Sequence, residues 1–479
     1  MPSLAGFVDG AYETQSRVMA GERCVNLFPA RVQQGGKVRS ALLPTPGFST
    51  FATMTQPNGR GIFAHDGRLF AVFGNTLSEL SSAGVETALG TVAVDGNPAT
   101  FDTNGDAGNE LLVSSGGSGY LFTLNTSVFS TPLSSGSTQV GQIDGFFISL
   151  NAGTSTWRIS DSLDGTTWSA LNVAQRTSAS DPWIAMMVAR GEVYLFGDKT
   201  GDVWYNAGLP TFPFAARPEG FFQCGIASAF SLASYMGSVA WLGRTQAGGP
   251  GVYVMDGYSP LKISDEALDV LIQQFEDAVG IDDALGWSYS REGHDFYVLS
   301  FPSANRTFTY DGAVKKWHER GYWDQAAGDY TEYRGVFHAN CFGKNLVCDP
   351  VSNRIYALSS TTYTDAGGDE LRRMRRTPHT SAENRRNYFG AVELECDRGV
   401  GNANAPGEDP LVGLRYSNDG GVTWGDSRTR QIGARGNSTT RVRWENCGSG
   451  RDRVWEIWQT DPNPARWFDL YVDAEPGVH

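Results

Sequence analysis

The run Y-S-N-D-G-G-V-T-W, Tyr416 to Trp424, sets Ser417, Asp419, Gly421, Thr423 and Trp424 in the order S-x-D-x-G-x-T-W, an Asp box. A carboxylate beside hydroxyls and an indole platform would suit glycoside chemistry, in which carboxylates act as acid, base or nucleophile. A shorter relative carrying Ser162, Asp164, Gly165 and Trp168 lies about 250 residues earlier. Repetition argues for a fold device. An Asp side chain accepts backbone N–H bonds across a tight turn, Gly supplies a positive φ, and Trp packs the hairpin onto its neighbour. None of these roles is catalytic, so both boxes read as structural turns and no catalytic residue is assigned.

The competing chemistry fails on its other requirements. An exo-sialidase needs an arginine triad for the substrate carboxylate, a Tyr–Glu nucleophile and an Asp acid/base at the centre of a propeller. The arginines here concentrate after residue 366, and the expected F-R-I-P motif is replaced at best by Trp157-Arg158-Ile159-Ser160. The six histidines, His65, His294, His318, His338, His379 and His479, are all more than five residues apart, so no local metal-ligand pair exists. His294 and His318 read as packing groups. No phosphate-cradling G-x-x-x-x-G-K-[ST] run occurs. The six cysteines, Cys24, Cys224, Cys341, Cys348, Cys396 and Cys447, form no C-x-x-C pair and read as buried free thiols. Neither metal nor cofactor is expected.

The elements that carry these residues are short. The chain has 479 residues, 58 of them glycine, with 12% aromatics, and long helical patterns are nearly absent; this favours many strands joined by tight turns. A formal charge of −14 excludes nonspecific coating of nucleic acid by the chain as a whole. No apolar run reaches the roughly 20 residues of a membrane helix, and the start M-P-S-L-A-G-F-V-D-G lacks the pattern of an export signal, so a soluble chain is expected.

From about residue 59 a hairpin unit recurs: 61–74, 111–124, 143–150, 188–197, 235–243, 291–301 and 346–358. Spacings of about 35 to 55 residues suit one four-stranded blade each, so the fold class is all-β with a β-propeller of six or seven blades. Six remains open because the first and last hairpins could share a blade closed by both chain ends. Ser264-Asp265-Glu266 starts a helix near 265–277, with Leu268, Leu271, Ile272 and Phe275 on one face. The runs 411–417, 439–444 and 453–460 alternate apolar and polar residues as a half-buried antiparallel sheet does. The expected organisation is an N-terminal arm 1–30, the propeller 31–365, an arginine-rich linker 366–390 and a C-terminal β-sandwich 391–479.

In their order, R-C-V-N-L-F-P-A (23–30), A-L-L-P-T-P-G-F (41–48), G-H-D-F-Y-V-L-S-F-P (293–302), T-Y-D-G-A-V-K-K-W-H-E-R (309–320), L-R-R-M-R-R-T-P-H (371–379), Y-S-N-D-G-G-V-T-W and R-D-R-V-W-E-I (451–457) resemble one family. It is that of the tail hub or nozzle proteins, also called packaged-DNA stabilisation proteins, of short-tailed bacteriophages. The sequence departs at Trp444-Glu445-Asn446-Cys447-Gly448, where the family pattern is more basic. The resemblance implies a structural virion protein of the tail, not an enzyme, assembled in the host cytoplasm. It implies a homo-oligomeric ring of six beneath portal and adaptor that extends the DNA channel, retains packaged DNA and anchors tail fibres, spikes or a needle. Duplex DNA would pass an acidic lumen without specific binding, and no membrane is involved. Arg372, Arg373, Arg375, Arg376, Arg385 and Arg386 would then suit contacts with protein neighbours; a solvated linker is the alternative. The other readings of the fold are a carbohydrate- or receptor-binding propeller and, more remotely, a sialidase-like glycosidase.

Overall fold

The computed structural model describes residues 1–17, 19–31, 39–246, 248–381 and 385–477; Asn384 and His479 lie outside them. The chain is all-β, with 51% strand and 4% helix. Among the described residues, seven antiparallel sheets succeed one another as blades: 59–91, 100–133, 139–175, 183–216, 225–262, 285–320, and a seventh formed by 336–359 with the early strand Gly47–Thr53. That strand pairs with Arg354–Ser359, so the last blade is sealed from the N-terminal side and the first hairpin keeps a blade of its own. The count is therefore seven.

Six of the blades join their first and second strands by the same two-residue turn. Asp66-Gly67, Asp144-Gly145, Arg190-Gly191, Met236-Gly237, Glu292-Gly293 and Phe342-Gly343 all have positive φ at both positions. This is the hairpin turn whose twist matches that of its strands, and glycine at the second place lowers its cost. The second blade uses the short helix Gly105–Gly108 instead. Second strands such as Glu192–Gly197 are buried along their whole length, because each lies between neighbouring blades. The helix Glu266–Ala278 is capped by Asp265, whose side chain accepts the Leu268 amide. It buries Leu268, Leu271 and Ile272 against the fifth and sixth blades. No described helix is long and apolar enough to cross a membrane.

The propeller axis is crossed. The inner strand of the fifth blade breaks between Gly225–Ile226 and Ala233–Tyr235. In between, the Ala229 carbonyl accepts from Gln139 Nε2 of the third blade at 2.8 Å. The Phe230 carbonyl accepts from the Gly286 amide of the sixth blade at 2.9 Å. One segment thus bridges blades on opposite sides of the axis.

The β-sandwich is built from both ends of the chain. One sheet orders Leu27–Arg31, Ser40–Pro44, Trp467–Pro476, Asn387–Cys396 and Val442–Glu445. The other orders Gly21–Val25, Arg373–Arg376, Asp452–Gln459, Leu411–Ser417 and Arg428–Gln431, and it continues through Gly21–Val25 into the sixth blade. Trp444, Trp455 and Trp467 fill the core between them with Phe389, Leu414 and Leu470. Residues 21–30 therefore form core strands of the sandwich, and the region expected as a linker contains a central strand.

Candidate functional site: the propeller–sandwich junction

Where the two sheets fuse, a row of charged side chains runs across five strands. Glu319, on the outer strand of the sixth blade, receives Arg23 Nε and Nη2 at 3.0 and 2.7 Å and forms an ion pair with Arg306 at 2.6 Å. Arg23 stands directly opposite Arg376, and Arg376 directly opposite Glu456. Glu456 in turn faces Arg415. It accepts from Arg376 at 2.9 Å and from Arg415 Nε at 2.8 Å. Glu319 and Glu456 are buried, with 1% exposure each. Burial alone would raise their carboxyls, but Arg23 and Arg306 hold Glu319, and Arg376 and Arg415 hold Glu456, below the ordinary glutamate value.

The arginines expected at an external interface mostly turn inward, which corrects that expectation. Arg373 and Arg375 are fully buried, and Arg376 nearly so. Arg375 donates to the carbonyls of Gly6, Phe7 and Gly10 at 2.6, 2.9 and 2.8 Å and to Glu22 at 2.9 Å. Arg373 donates to the carbonyls of Asn463 and Asp461 at 2.8 and 2.6 Å. Arg372 lies between the rings of Trp323 and Trp458, 4.0 and 4.7 Å from their centroids. The guanidinium fork suits this task, since five donors can satisfy carbonyls that converge from separate segments. Arg385 and Arg386 remain at the surface, with Arg386 donating to the Ser449 hydroxyl at 3.1 Å.

Both Asp boxes are turns in this structure. Asp419 accepts the amides of Val422 and Thr423 at 3.0 and 2.9 Å and the Ser417 hydroxyl at 2.6 Å. The hydroxyls of Ser417 and Thr423, together with these amides, hold its carboxyl well below the usual range. Gly421 has φ +91°, and Trp424 offers its ring to Arg376 and Arg415 at 5.0 and 4.7 Å. The second box thus supports the charged row from outside. In the first, Asp164 accepts the Thr166 amide at 2.9 Å, and Trp168 Nε1 donates to the Gly165 carbonyl at 2.8 Å. Ser162 is exposed in the same turn. The positive φ there falls on Leu163 rather than Gly165. Gly165 is required for space, since a Cβ would stand 2.7 Å from Leu121 and 2.9 Å from Phe147.

The remaining sequence candidates carry no assembled chemistry. His294 bonds Asp311 at 2.6 Å, and both His294 and His318 pack on Phe28. Burial, with Arg320 nearby, holds His318 well below its ordinary value. Arg158 donates to the carbonyls of Ser135 and Gly136 within its own region. Among the described residues no three His, Cys, Asp or Glu side chains cluster as metal ligands, and all six cysteines are free and buried. Sequence reading missed Arg23, Glu319, Arg415 and Glu456. Their signal was present as single charges in apolar strands, R-C-V, W-H-E-R, L-R-Y and V-W-E-I, whose partners lie on other strands, up to 296 residues away.

Comparison with known proteins follows the same division. The family described as Bacteriophage P22 Gp10, beta-propeller, matches residues 6–363. That described as Bacteriophage P22 Gp10, beta-sandwich, matches residues 372–475. No curated protein matches the sequence. Among solved structures, the N-terminal domain of Nup159 is 11% identical, with 74% of this chain and 99% of that one covered and a TM-score of 0.40. The computationally designed Ika8 protein is 10% identical, with coverage of 74% and 98% and a TM-score of 0.39. The RRP9 WD40 repeats are 8% identical, with coverage of 66% and 99% and a TM-score of 0.39. Scores this low carry no argument. The two family matches, in order along the chain and with little between them, do: this chain belongs to the bacteriophage P22 Gp10 family of structural tail proteins, and it is not an enzyme.

Proposed function

We propose that this tail protein is the hub subunit of a short phage tail. Six copies form a ring below portal and adaptor, and the ring continues the DNA channel, retains packaged DNA and anchors fibres, spikes or a needle. The observation that carries the reading is the family match over both domains; cyclic symmetry is how identical chains close a channel around a duplex. The fused sheet is consistent with a load-bearing part, because propeller and sandwich cannot move apart without breaking a strand ladder and the buried ion pairs on it.

Charge is divided unevenly. Residues 1–363 carry 34 acidic and 22 basic side chains, whereas residues 372–479 carry 15 and 16. A ring that turned the propeller inward would present duplex DNA with a repelling wall, along which it slides instead of being held by counterion release. The segment across each propeller axis supports a passage between subunits and not through one. Arg385 and Arg386 are the members of the arginine cluster proposed to meet a neighbour.

The test is native mass measurement and electron microscopy of the purified chain, alone and with its adaptor. A closed ring of six is expected, with negligible duplex binding at low salt. A particle that stays monomeric with adaptor present, or tight salt-sensitive DNA binding, would overturn the reading.

A further inference from the structure

The segment that crosses the propeller axis forms the floor of a cup. Its volume is about 520 Å³, within the range of pockets that hold ligands. Phe230 and Phe337 project into it, and Pro98, Pro302 and Pro350 stand on its wall. Beyond Phe230 it runs on into a recess of about 170 Å³ that reaches Gln139 and Ile184 of the third and fourth blades. The space is therefore elongated across the face of the propeller, and both of its parts share Asn97, Pro98 and Phe230.

Its polar groups are one-sided. Asp282, Asp283 and Arg60 are the charged residues that line the cup among the described residues. The Arg60 guanidinium is already engaged by the carbonyls of Asn97, Gly74 and Ala93 at 2.9, 3.0 and 3.2 Å and by Asp95 at 3.3 Å. Asp283 takes the Ser303 amide on one oxygen at 2.8 Å. Its other oxygen is shielded from solvent and has no hydrogen-bond partner. Two aspartates thus line a space whose one lining cation among the described residues, Arg60, is committed elsewhere. Phe337 has φ +52° at a bulge in the inner strand of the seventh blade. A bulky residue in that region is strained, and strain of this kind is retained at ligand clamps.

The geometry points to a docking site for an extended peptide of a partner protein, with an arginine or lysine on Asp282 and Asp283 and an adjacent apolar side chain between Phe230 and Phe337. Charge complementarity selects the cation, and a guanidinium gains further from charge-assisted bonds and from the aromatic faces beside it. The elongated space selects a chain over a compact ligand. The proline wall is rigid and lacks N–H donors, so apolar contact dominates there.

The test is fluorescence anisotropy of the full chain with a fluorescein-labelled nonapeptide that carries one arginine between two leucines in a glycine–serine background. Saturable binding is expected, weakened about tenfold or more by citrulline in place of the arginine, and equally by Asp282→Asn with Asp283→Asn. Phe230→Ala should weaken both peptides alike. Thermal melts that match the unchanged chain establish that the variants fold. Equal binding of the arginine and citrulline peptides, or binding indifferent to the aspartate changes, would overturn the proposal. So would an absence of saturation at millimolar peptide. N-acetyl-arginine amide binding as tightly as the nonapeptide would mark a site for small cations and would defeat the peptide reading.

Discussion

Arg23 stands directly across the strand ladder from Arg376, two like charges in a buried sheet. Such a pair is destabilising by itself. It persists here because Glu319 takes Arg23 on one side and Glu456 takes Arg376 on the other. The junction between propeller and sandwich therefore depends on two carboxylates from segments more than a hundred residues apart.

Removing either carboxylate should be costly. Glu456→Gln removes the counter-charge of Arg415 and of Arg376, which stands opposite Arg23, and breaking a buried pair from one side costs about 3–5 kcal/mol. Denaturant unfolding should report a loss of that order, while Arg415→Lys, which keeps a charge on the more exposed partner, should lose less.

The same groups set an acid limit. Glu319 and Glu456 titrate below the ordinary glutamate value of 4.5 in the folded chain. Their contribution is complete above that value and is lost as pH falls through their depressed folded values. Melting temperature measured against pH should drop on this limb, and Glu319→Gln should flatten the drop while lowering the plateau.

Asp365 should behave in the opposite sense. Burial pushes its carboxyl up to about 7; one oxygen accepts the Ala366 amide at 2.7 Å and the other has no partner. A carboxyl raised on folding costs stability progressively from the unfolded value of 3.8 up to about 7, and the cost is constant above that. Asp365→Asn should therefore stabilise the chain by an amount that grows between pH 4 and pH 7 and then levels off, approaching about 4 kcal/mol at most. A pH-independent effect would contradict this assignment.

A chain beginning at residue 366 should not fold. The sandwich takes Gly21–Val25 and Leu27–Arg31 into its two sheets, and Ser40–Pro44 pairs with Trp467–Pro476. Circular dichroism and tryptophan emission should show a disordered fragment.

The reasons for what was legible are local. Two-residue turns ending in glycine and apolar runs between them announce blades, because the hairpin is specified by residues that touch. The helix was equally readable, since its Asp265 cap and its stripe at 268, 271 and 272 lie within one segment. R-R-M-R-R read as a surface stretch for protein neighbours, with a solvated linker as the alternative, because four charges in five positions suit an exposed segment. What buries them is distant: carbonyls at 6–10 and 461–463, and Glu456. The seventh blade was ambiguous for the same reason, as its closing strand Gly47–Thr53 precedes its partner by some 300 residues.

That separation also governs how the molecule is made. Gly21–Val25 and Gly47–Thr53 emerge from the ribosome some 300 residues or more before the strands Arg373–Arg376 and Arg354–Ser359 with which they pair. Until those partners are made, the edges that receive them are unpaired, and neither the propeller nor the sandwich can close. A chain released early keeps both bodies open and exposes strand edges that invite aggregation. Closure is thus checked by the topology itself, and only a chain translated through both domains presents a finished surface.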